Sequence, residues 1–265
     1  MSIAVIPARG GSVRCKRKNV KLLDGLPLIV HTIRQALESK VFDSVIVSTE
    51  DIEIKDISMR AGATVIDRPK ELSEDVETEL VIKHVIEELA KRNHYPNIIT
   101  LLQCTSPLRK IETIRKCVQT LKDNYESADS VVTVSNVEGN RPEWMCYINN
   151  GRIVPYVRKW ELEDEKEVKL NPYIKLVARQ SLPELYKQNG CVYTFKKDLI
   201  MKYGIVIGTN CIPVIIDDEE SLDIDTDVDF TIIEEIIKSK KPEIDINRTS
   251  YSLTSHGFIR QERLF

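Results

Sequence analysis

The sequence contains no apolar run approaching the roughly 20 residues that a membrane-spanning helix requires, so no membrane is expected as a partner. Its opening, MSIAVIPARGG, has no charged start, apolar stretch and small-residue cleavage site of a secretory signal, and a soluble cytoplasmic protein is expected. Charge of one sign is also missing. The 38 Lys and Arg stand against 41 Asp and Glu, a net charge of −3, which leaves no global field to gather nucleic acid. The six cysteines (Cys15, Cys104, Cys117, Cys146, Cys191, Cys211) include no C-x-x-C pair, so neither a zinc site nor a disulfide frame is expected. No internal repeat is found, and neither the P-loop spacing nor the G-x-G-x-x-G fingerprint occurs.

What is present is alternation. Residues 3–7, 44–49, 63–66, 98–103, 130–135, 191–195 and 211–216 read as short apolar strands. Residues 27–39, 52–61, 77–92, 111–124 and 227–238 read as helices, with apolar positions at helical spacing such as Val81, Val85 and Leu89. This order predicts βαβ units: an α/β, Rossmann-like fold with a mostly parallel sheet and helices on both faces. The 42% apolar content of 265 residues is enough for one sizeable core. The alternation fails between residues 138 and 186, where Trp144, Trp160 and the charge run RKWELEDEKEVK replace it. That stretch is read as an insertion within one domain spanning 1–238, and residues 239–265, which have no firm period, as a tail or partner arm.

In an open parallel sheet, ligands bind beyond the carboxyl ends of the strands. The loop ARGGSVRCKRKN, residues 8–19, follows the first strand and occupies such a place. Gly10 and Gly11 would let the backbone approach a phosphate closely. Arg9, Arg14, Lys16, Arg17, Lys18 and Lys21 put six cations within thirteen residues of a net-negative chain. The alternative is a plain turn whose cations are solvated. In SLDIDTDVDF, residues 221–230, the side-chain period of two in an extended segment puts Asp223 and Asp225 on one face as hard oxygen ligands suited to Mg²⁺. Here the alternative is a solvated helix start, with Asp225 or Thr226 as its cap. LLQCTSPLR, residues 101–109, ends a buried strand in Gln103, Thr105, Ser106 and Arg109, a set suited to a base or sugar or to capping the next helix. ARQSLPELYKQNGCVY, residues 178–193, brings Arg179, Gln180, Lys187 and Asn189 ahead of a strand, a set suited to a carboxylate-bearing, hydroxyl-rich ligand.

Together these stretches resemble the acylneuraminate cytidylyltransferases, or CMP-sialic acid synthetases. That family carries IPARGGSKxxxxKN, LLQPTSPLR, RQxLPxxYxxNGxxY and SxDIDTxxDF, and the chain has IPARGGSVRCKRKN, LLQCTSPLR, RQSLPELYKQNGCVY and SLDIDTDVDF in the same order. The resemblance implies a Mg²⁺-dependent transfer of CMP from CTP to the anomeric C2 hydroxyl of a nine-carbon 2-keto acid sugar, a nonulosonic acid, with release of pyrophosphate. It also implies a homodimer in which the segment 138–186 reaches across to the partner. Carried over position by position, Arg9, Ser12 and Lys18 would contact the CTP phosphates, with Gly10, Gly11 and Asn19 shaping the loop. Gln103, Arg179, Gln180, Lys187 and Asn189 would face the sugar, and Asp223 and Asp225 would hold the metal.

The chain departs from the pattern at Val13, where the family has lysine; Arg14, Lys16 or Arg17 would have to substitute. It departs again at Lys16 and Cys104, where the family has proline, and at residues 74–78, EDVET, in a region that commonly touches the sugar. A sugar other than N-acetylneuraminate is compatible with these differences. Two other readings remain at this point: a 3-deoxy-manno-octulosonate cytidylyltransferase, whose loop typically runs IPARxxSTRLPxKPL, and a nucleotide- or sugar-binding homologue without turnover.

Overall fold

Seven strands rich in Ile, Val and Thr build one sheet: β1 Ser2–Pro7, β2 Ser44–Thr49, β3 Thr64–Asp67, β4 Ile98–Leu101, β5 Ser130–Asn136, β6 Tyr186–Lys196 and β7 Cys211–Ile215. The structure is a computed structural model and describes residues 1–12, 14–73, 76–137, 139, 141–155, 160–163, 167–170, 180, 183–240, 251–254 and 257–260. Val13, Glu74, Asp75, Arg179 and the remainder of the 138–186 and 239–265 stretches lie outside the described residues.

The strand order is β7-β5-β6-β4-β1-β2-β3. All neighbours run parallel except β6, which is antiparallel to both β4 and β5. The sheet is therefore mostly parallel, as the alternation predicts. A lone antiparallel strand is invisible to a periodicity argument, because alternation marks a strand's buried faces and not its direction.

Both faces of β1 are buried: Ile3 and Val5 point to one side, Ala4 and Ile6 to the other. Helices α1 (Leu28–Ser39), α2 (Ile52–Arg60) and α4 (Ile111–Asp123) cover one face through Ile29, Ile33, Ile54, Ile114, Cys117 and Leu121. Helices α3 (Thr78–Lys91) and α5 (Lys197–Tyr203) cover the other through Ile82, Val85, Leu89, Leu199 and Ile200. Each fully buried side chain of this size contributes about 1.5–3 kcal/mol. Burial on both faces explains the continuous apolar strands.

Four differences from the sequence reading stand out. Helix α5 follows β6 without a break and ends at Gly204 in the left-handed region (φ 67°); its seven residues are too short to give a clear helical period. Strand β6 begins at Tyr186, inside the stretch read as inserted, and carries a register shift between Gln188 and Tyr193. The inserted stretch is not irregular throughout, since Cys146–Asn149 pairs with Arg152–Pro155 and Trp160–Glu163 with Glu167–Leu170 as antiparallel hairpins. The tail likewise holds a hairpin of Tyr251–Thr254 with Gly257–Arg260.

A third, smaller cluster sits at the carboxyl edge of the sheet. Cys15, Leu23 and Leu28 pack there with Ile224, Phe230 and Ile233, the last two from α6 (Asp227–Ser239). This cluster brings the loop after β1 together with the acidic segment, which is more than 200 residues away in sequence.

Candidate active site

The carboxyl ends of three strands are extended by single backbone bonds that fix where the next residues emerge. Ala8 N–H donates to the Ser48 carbonyl at 3.0 Å, Leu102 N–H to the Val5 carbonyl at 3.0 Å, and Arg68 N–H to the Thr49 carbonyl at 2.9 Å. Arg9, Gln103 and Arg68 consequently share one edge. Between them opens a cavity of about 550 Å³ walled by Arg9, Ser12, Arg14, Cys15, Lys18, Asn19, Arg68, Gln103, Thr105 and Asp225, with Val76, Thr78 and Val81 from the start of α3.

The acidic segment is pinned at Ile224. This side chain is fully buried, its N–H donates to the Thr105 carbonyl at 2.8 Å, and its carbonyl accepts from Lys18 Nζ at 2.5 Å. Fixing residue 224 in this way sets its two neighbours. Asp225 is exposed on the cavity wall, 4.0 Å from Lys18 Nζ and 3.6 Å from Arg14 Nη1. Asp223 is largely buried beside Thr105, and burial pushes its carboxyl up from the usual range, with the Asp225 charge adding to the rise and the Thr105 hydroxyl and Lys18 opposing it. Its Oδ1 is buried without a hydrogen-bond partner.

Capping does not consume either carboxylate. Thr226 Oγ1 accepts from Asp229 N–H at 3.3 Å, and Asp229 Oδ2 accepts from Thr226 N–H at 2.7 Å, a reciprocal box that satisfies the start of α6. One hard oxygen donor, Asp225, therefore lines the cationic cavity, while the second, Asp223, sits two residues away beside Thr105 with an unsatisfied oxygen and is not itself in the cavity wall. That donor set fits a magnesium ion whose remaining positions are filled by phosphate and water.

The cations of the loop separate into two groups. Arg9, Arg14 and Lys18 line the cavity. Arg17 turns away to Asp51 and Glu53, holding the Asp51 carboxyl below the usual carboxylate range. Lys21 pairs with Asp227 at 2.7 Å and lies 4.2 Å from the Phe230 ring centroid. Arg17 is thereby committed to α2 and is not a substitute for the lysine missing at position 13. Lys16 is exposed and is not in the cavity wall.

The two glycines differ in their surroundings. A Cβ on Gly10 would collide with the Asp51 carboxylate, whereas nothing lies within 4 Å of one on Gly11. Gly10 N–H donates to Glu50 Oε1 at 2.7 Å and Ser12 N–H to the Gly10 carbonyl at 3.1 Å, so these two amides have protein partners in this conformation. Asn19 is buried and its Nδ2 donates to the Arg9 carbonyl at 2.9 Å, which ties the two ends of the loop.

On the far side, Gln103 lines the cavity and packs over the β6 bulge, where a Cβ on Gly190 (φ +75°) would stand 2.9 Å from Gln103 Oε1. Asn189 Oδ1 accepts from Thr133 Oγ1 at 2.7 Å and from Cys191 N–H at 3.2 Å, and its Nδ2 is buried without a partner. Lys187 and Gln180 are exposed, and neither they nor Asn189 are in the cavity wall. Arg179 lies outside the described residues.

Arg109 does not reach the cavity. Its guanidinium is buried against the carbonyls of Gln103 and Cys191. Cys104 is in the wall, but burial raises its thiol to about 12, too high for a nucleophile. Arg68 was not singled out from the sequence. It is buried, donates from Nη2 to the Ser48 carbonyl at 2.7 Å, and has its pKa lowered by desolvation. The available signal was its position immediately after a strand, at the edge where ligands bind.

The profile of the cytidylyltransferase family matches residues 3–241. The chain belongs to that family. As a cytidylyltransferase it is 35% identical over 243 residues to the CMP-N,N'-diacetyllegionaminic acid synthase of Legionella pneumophila, covering 89% of this chain and 96% of that protein. It is 29% identical to the post-translational flagellin modification protein B of Campylobacter coli (90% and 95% covered). It is 32% identical to the N-acylneuraminate cytidylyltransferase A of Danio rerio, covering 88% of this chain and half of that one. Among solved structures, CMP:2-keto-3-deoxy-manno-octonic acid synthetase complexed with CTP superposes with a TM-score of 0.66 at 16% identity, covering 91% of this chain and 99% of that one. That likeness supports the nucleotidyltransferase fold. Among the described residues no helix is long and apolar enough to cross a membrane.

Proposed function

We propose that this cytidylyltransferase transfers CMP from CTP to the anomeric C2 hydroxyl of a nonulosonic acid, a nine-carbon 2-keto acid sugar, and releases pyrophosphate. The observation that carries the reading is the pairing of a cationic loop with Asp225 around one cavity at the strand ends, with the buried, unsatisfied Asp223 carboxyl two residues away. The near full-length likeness to a diacetyllegionaminate synthase directs the choice of sugar.

In the reaction the sugar O2 forms a bond to the α-phosphorus as the bond from that phosphorus to the bridging oxygen breaks. The hydroxyl proton passes to solvent. No covalent enzyme intermediate is required, so the protein's work is placement and charge compensation. Arg9, Ser12 and Lys18 hold the phosphates, with Gly10, Gly11 and Asn19 setting the path of the loop. Gln103 orients the sugar, and Arg179, Gln180, Lys187 and Asn189 are assigned to its carboxylate and hydroxyl groups. Asp223 and Asp225 would hold Mg²⁺, which supplies neutralisation of the charge that grows on the α-phosphate and the departing pyrophosphate. Residues 138–186 are assigned to a homodimer contact; Ile148 and Ile153, 77% and 62% exposed on one hairpin, support that assignment.

The test is pyrophosphate release by the purified protein with Mg²⁺ and each of the four nucleoside triphosphates, against N-acetylneuraminate, diacetyllegionaminate, pseudaminate and octulosonate. Release with CTP and a nine-carbon acid is expected. Release with octulosonate alone would replace the sugar assignment, and CTP binding with no turnover on any sugar would favour a binding protein.

A further inference from the structure

Arg109 is 3% exposed and forms a three-way tie. Its Nε donates to the Cys191 carbonyl at 2.7 Å, its Nη2 to the Gln103 carbonyl at 2.6 Å, and its Nη1 to Gln35 Oε1 at 3.0 Å. Gln35 in turn donates from Nε2 to the Pro107 carbonyl at 2.6 Å. One planar guanidinium thus joins α1, the cavity-lining residue two positions past the end of β4, and β6 within its register shift. A lysine, a point charge on a flexible stem, cannot meet three acceptors in these directions.

We infer that Arg109 is a positioning residue for the sugar half of the site. It fixes the separation of the Gln103 and Cys191 carbonyls and thereby sets how the Gln103 amide stands over the Gly190 bulge. Gly190 has no Cβ, and one would lie 2.9 Å from Gln103 Oε1, so the amide is held closely enough for small changes in that separation to move it. Asn189 belongs to the same bulge and is held by Thr133. The cationic loop and the Ile224 anchor share no hydrogen bond with Arg109 among those described, so the tie acts on the sugar side and leaves the nucleotide side in place. The inference rests on the reading of Gln103 as sugar-facing.

The test compares Arg109→Lys and the milder Gln35→Leu with Arg115→Leu. Arg115 also fastens α4 to α1, through the carbonyls of Ser39 and Glu38, but is not in the cavity wall and bonds neither Gln103 nor Cys191, so it serves as a structural control. The assays are steady-state pyrophosphate release, thermal melting, and hydrogen exchange of the Cys191 and Val192 amides. Arg109→Lys is expected to raise the KM for the sugar on the order of tenfold. Gln35→Leu should raise it by a smaller factor, and the KM for CTP should change less than about twofold in both. Arg115→Leu should lower the melting temperature and alter neither KM.

An unchanged sugar KM in Arg109→Lys, or a rise in both KM values together tracking melting temperature, overturns the inference. If the wild-type protein turns over none of the sugars, the functional reading fails by itself. The positioning claim is then decided by exchange: faster exchange at Cys191 and Val192 in Arg109→Lys than in Arg115→Leu supports it, and equal exchange rejects it.

Discussion

Asp223→Asn should inactivate the enzyme and stabilise it. Asp223 is a largely buried carboxyl whose Oδ1 has no hydrogen-bond partner, and its ionised form is disfavoured first by desolvation and then by the Asp225 charge. A folded-state pKa above the unfolded value of about 3.9 means that the native state binds the proton more tightly, so ionising the group costs stability at every pH above the raised value. Leaving such an acceptor buried and unsatisfied costs roughly 1–3 kcal/mol. Replacing the charge by a neutral isostere of the same shape should recover about 1–2 kcal/mol, a rise of about 3–6 °C in melting temperature for a chain of this size. The assay is thermal unfolding in chelator as a function of pH. The gain should be complete near neutrality and shrink as the pH falls through the raised carboxyl value, because the wild-type group then becomes neutral as well. Adding Mg²⁺ should raise the melting temperature of the wild type through preferential binding to the folded state, and leave the variant unmoved. A variant that melts below the wild type in chelator at neutral pH would show that Asp223 is a structural anchor and refute the argument; an unresponsive wild type would remove the metal assignment.

Gly10→Ala and Gly11→Ala should separate sharply. The first drives a methyl group into the Asp51 carboxylate, costs about 1–3 kcal/mol and raises the KM for CTP, while the second meets open space and leaves melting and the CTP KM near wild type. Equal effects from the two would show that the loop conformation had been misjudged. Arg17→Ala should cost on the order of 1 kcal/mol at neutral pH, since Arg17 is partly exposed and screened. Because Arg17 lowers the Asp51 carboxyl, that difference is present above the ordinary aspartate value and vanishes as the pH falls through the lowered one. Melting curves of the two proteins that stay apart at strongly acid pH would contradict this linkage.

The parallel core was legible because a strand buried on both faces must be apolar throughout and a helix covering it must be apolar on one stripe. Ile3 to Ile6 and the α4 residues Ile114, Cys117, Val118 and Leu121 show both patterns. Strand direction is not written in such patterns. Thr194 and Phe195 look like any buried strand, and only pairing reveals that they run against Thr100 and Ile99. The starts of α2, α4 and α6 were all read at the residue where they fall, from apolar spacing, but the group that satisfies each start was legible only where it is local, as with Thr226. Lys110 N–H at the start of α4 is satisfied by the buried Glu220 carboxylate, 110 residues away.

The same distinction between local and long-range partners governs the site. Six cations in thirteen residues read as a phosphate cradle without showing which of them face the ligand, because a cation's role depends on which carboxylates the fold brings near it. Asp51 and Glu53, delivered by the start of α2, occupy Arg17, and Asp227, delivered by α6, occupies Lys21. What remains on the cavity is Arg9, Arg14 and Lys18, set against Asp225. The engaged cations tie a loop rich in like charge to α2 and α6, and under the proposed function that would place the cavity-lining residues before a nucleotide arrives. Preorganisation of this kind is where a transfer reaction without a covalent intermediate gains its rate. It depends on contacts such as Lys18 to the Ile224 carbonyl, across 206 residues, which no local reading of ARGGSVRCKRKN could supply.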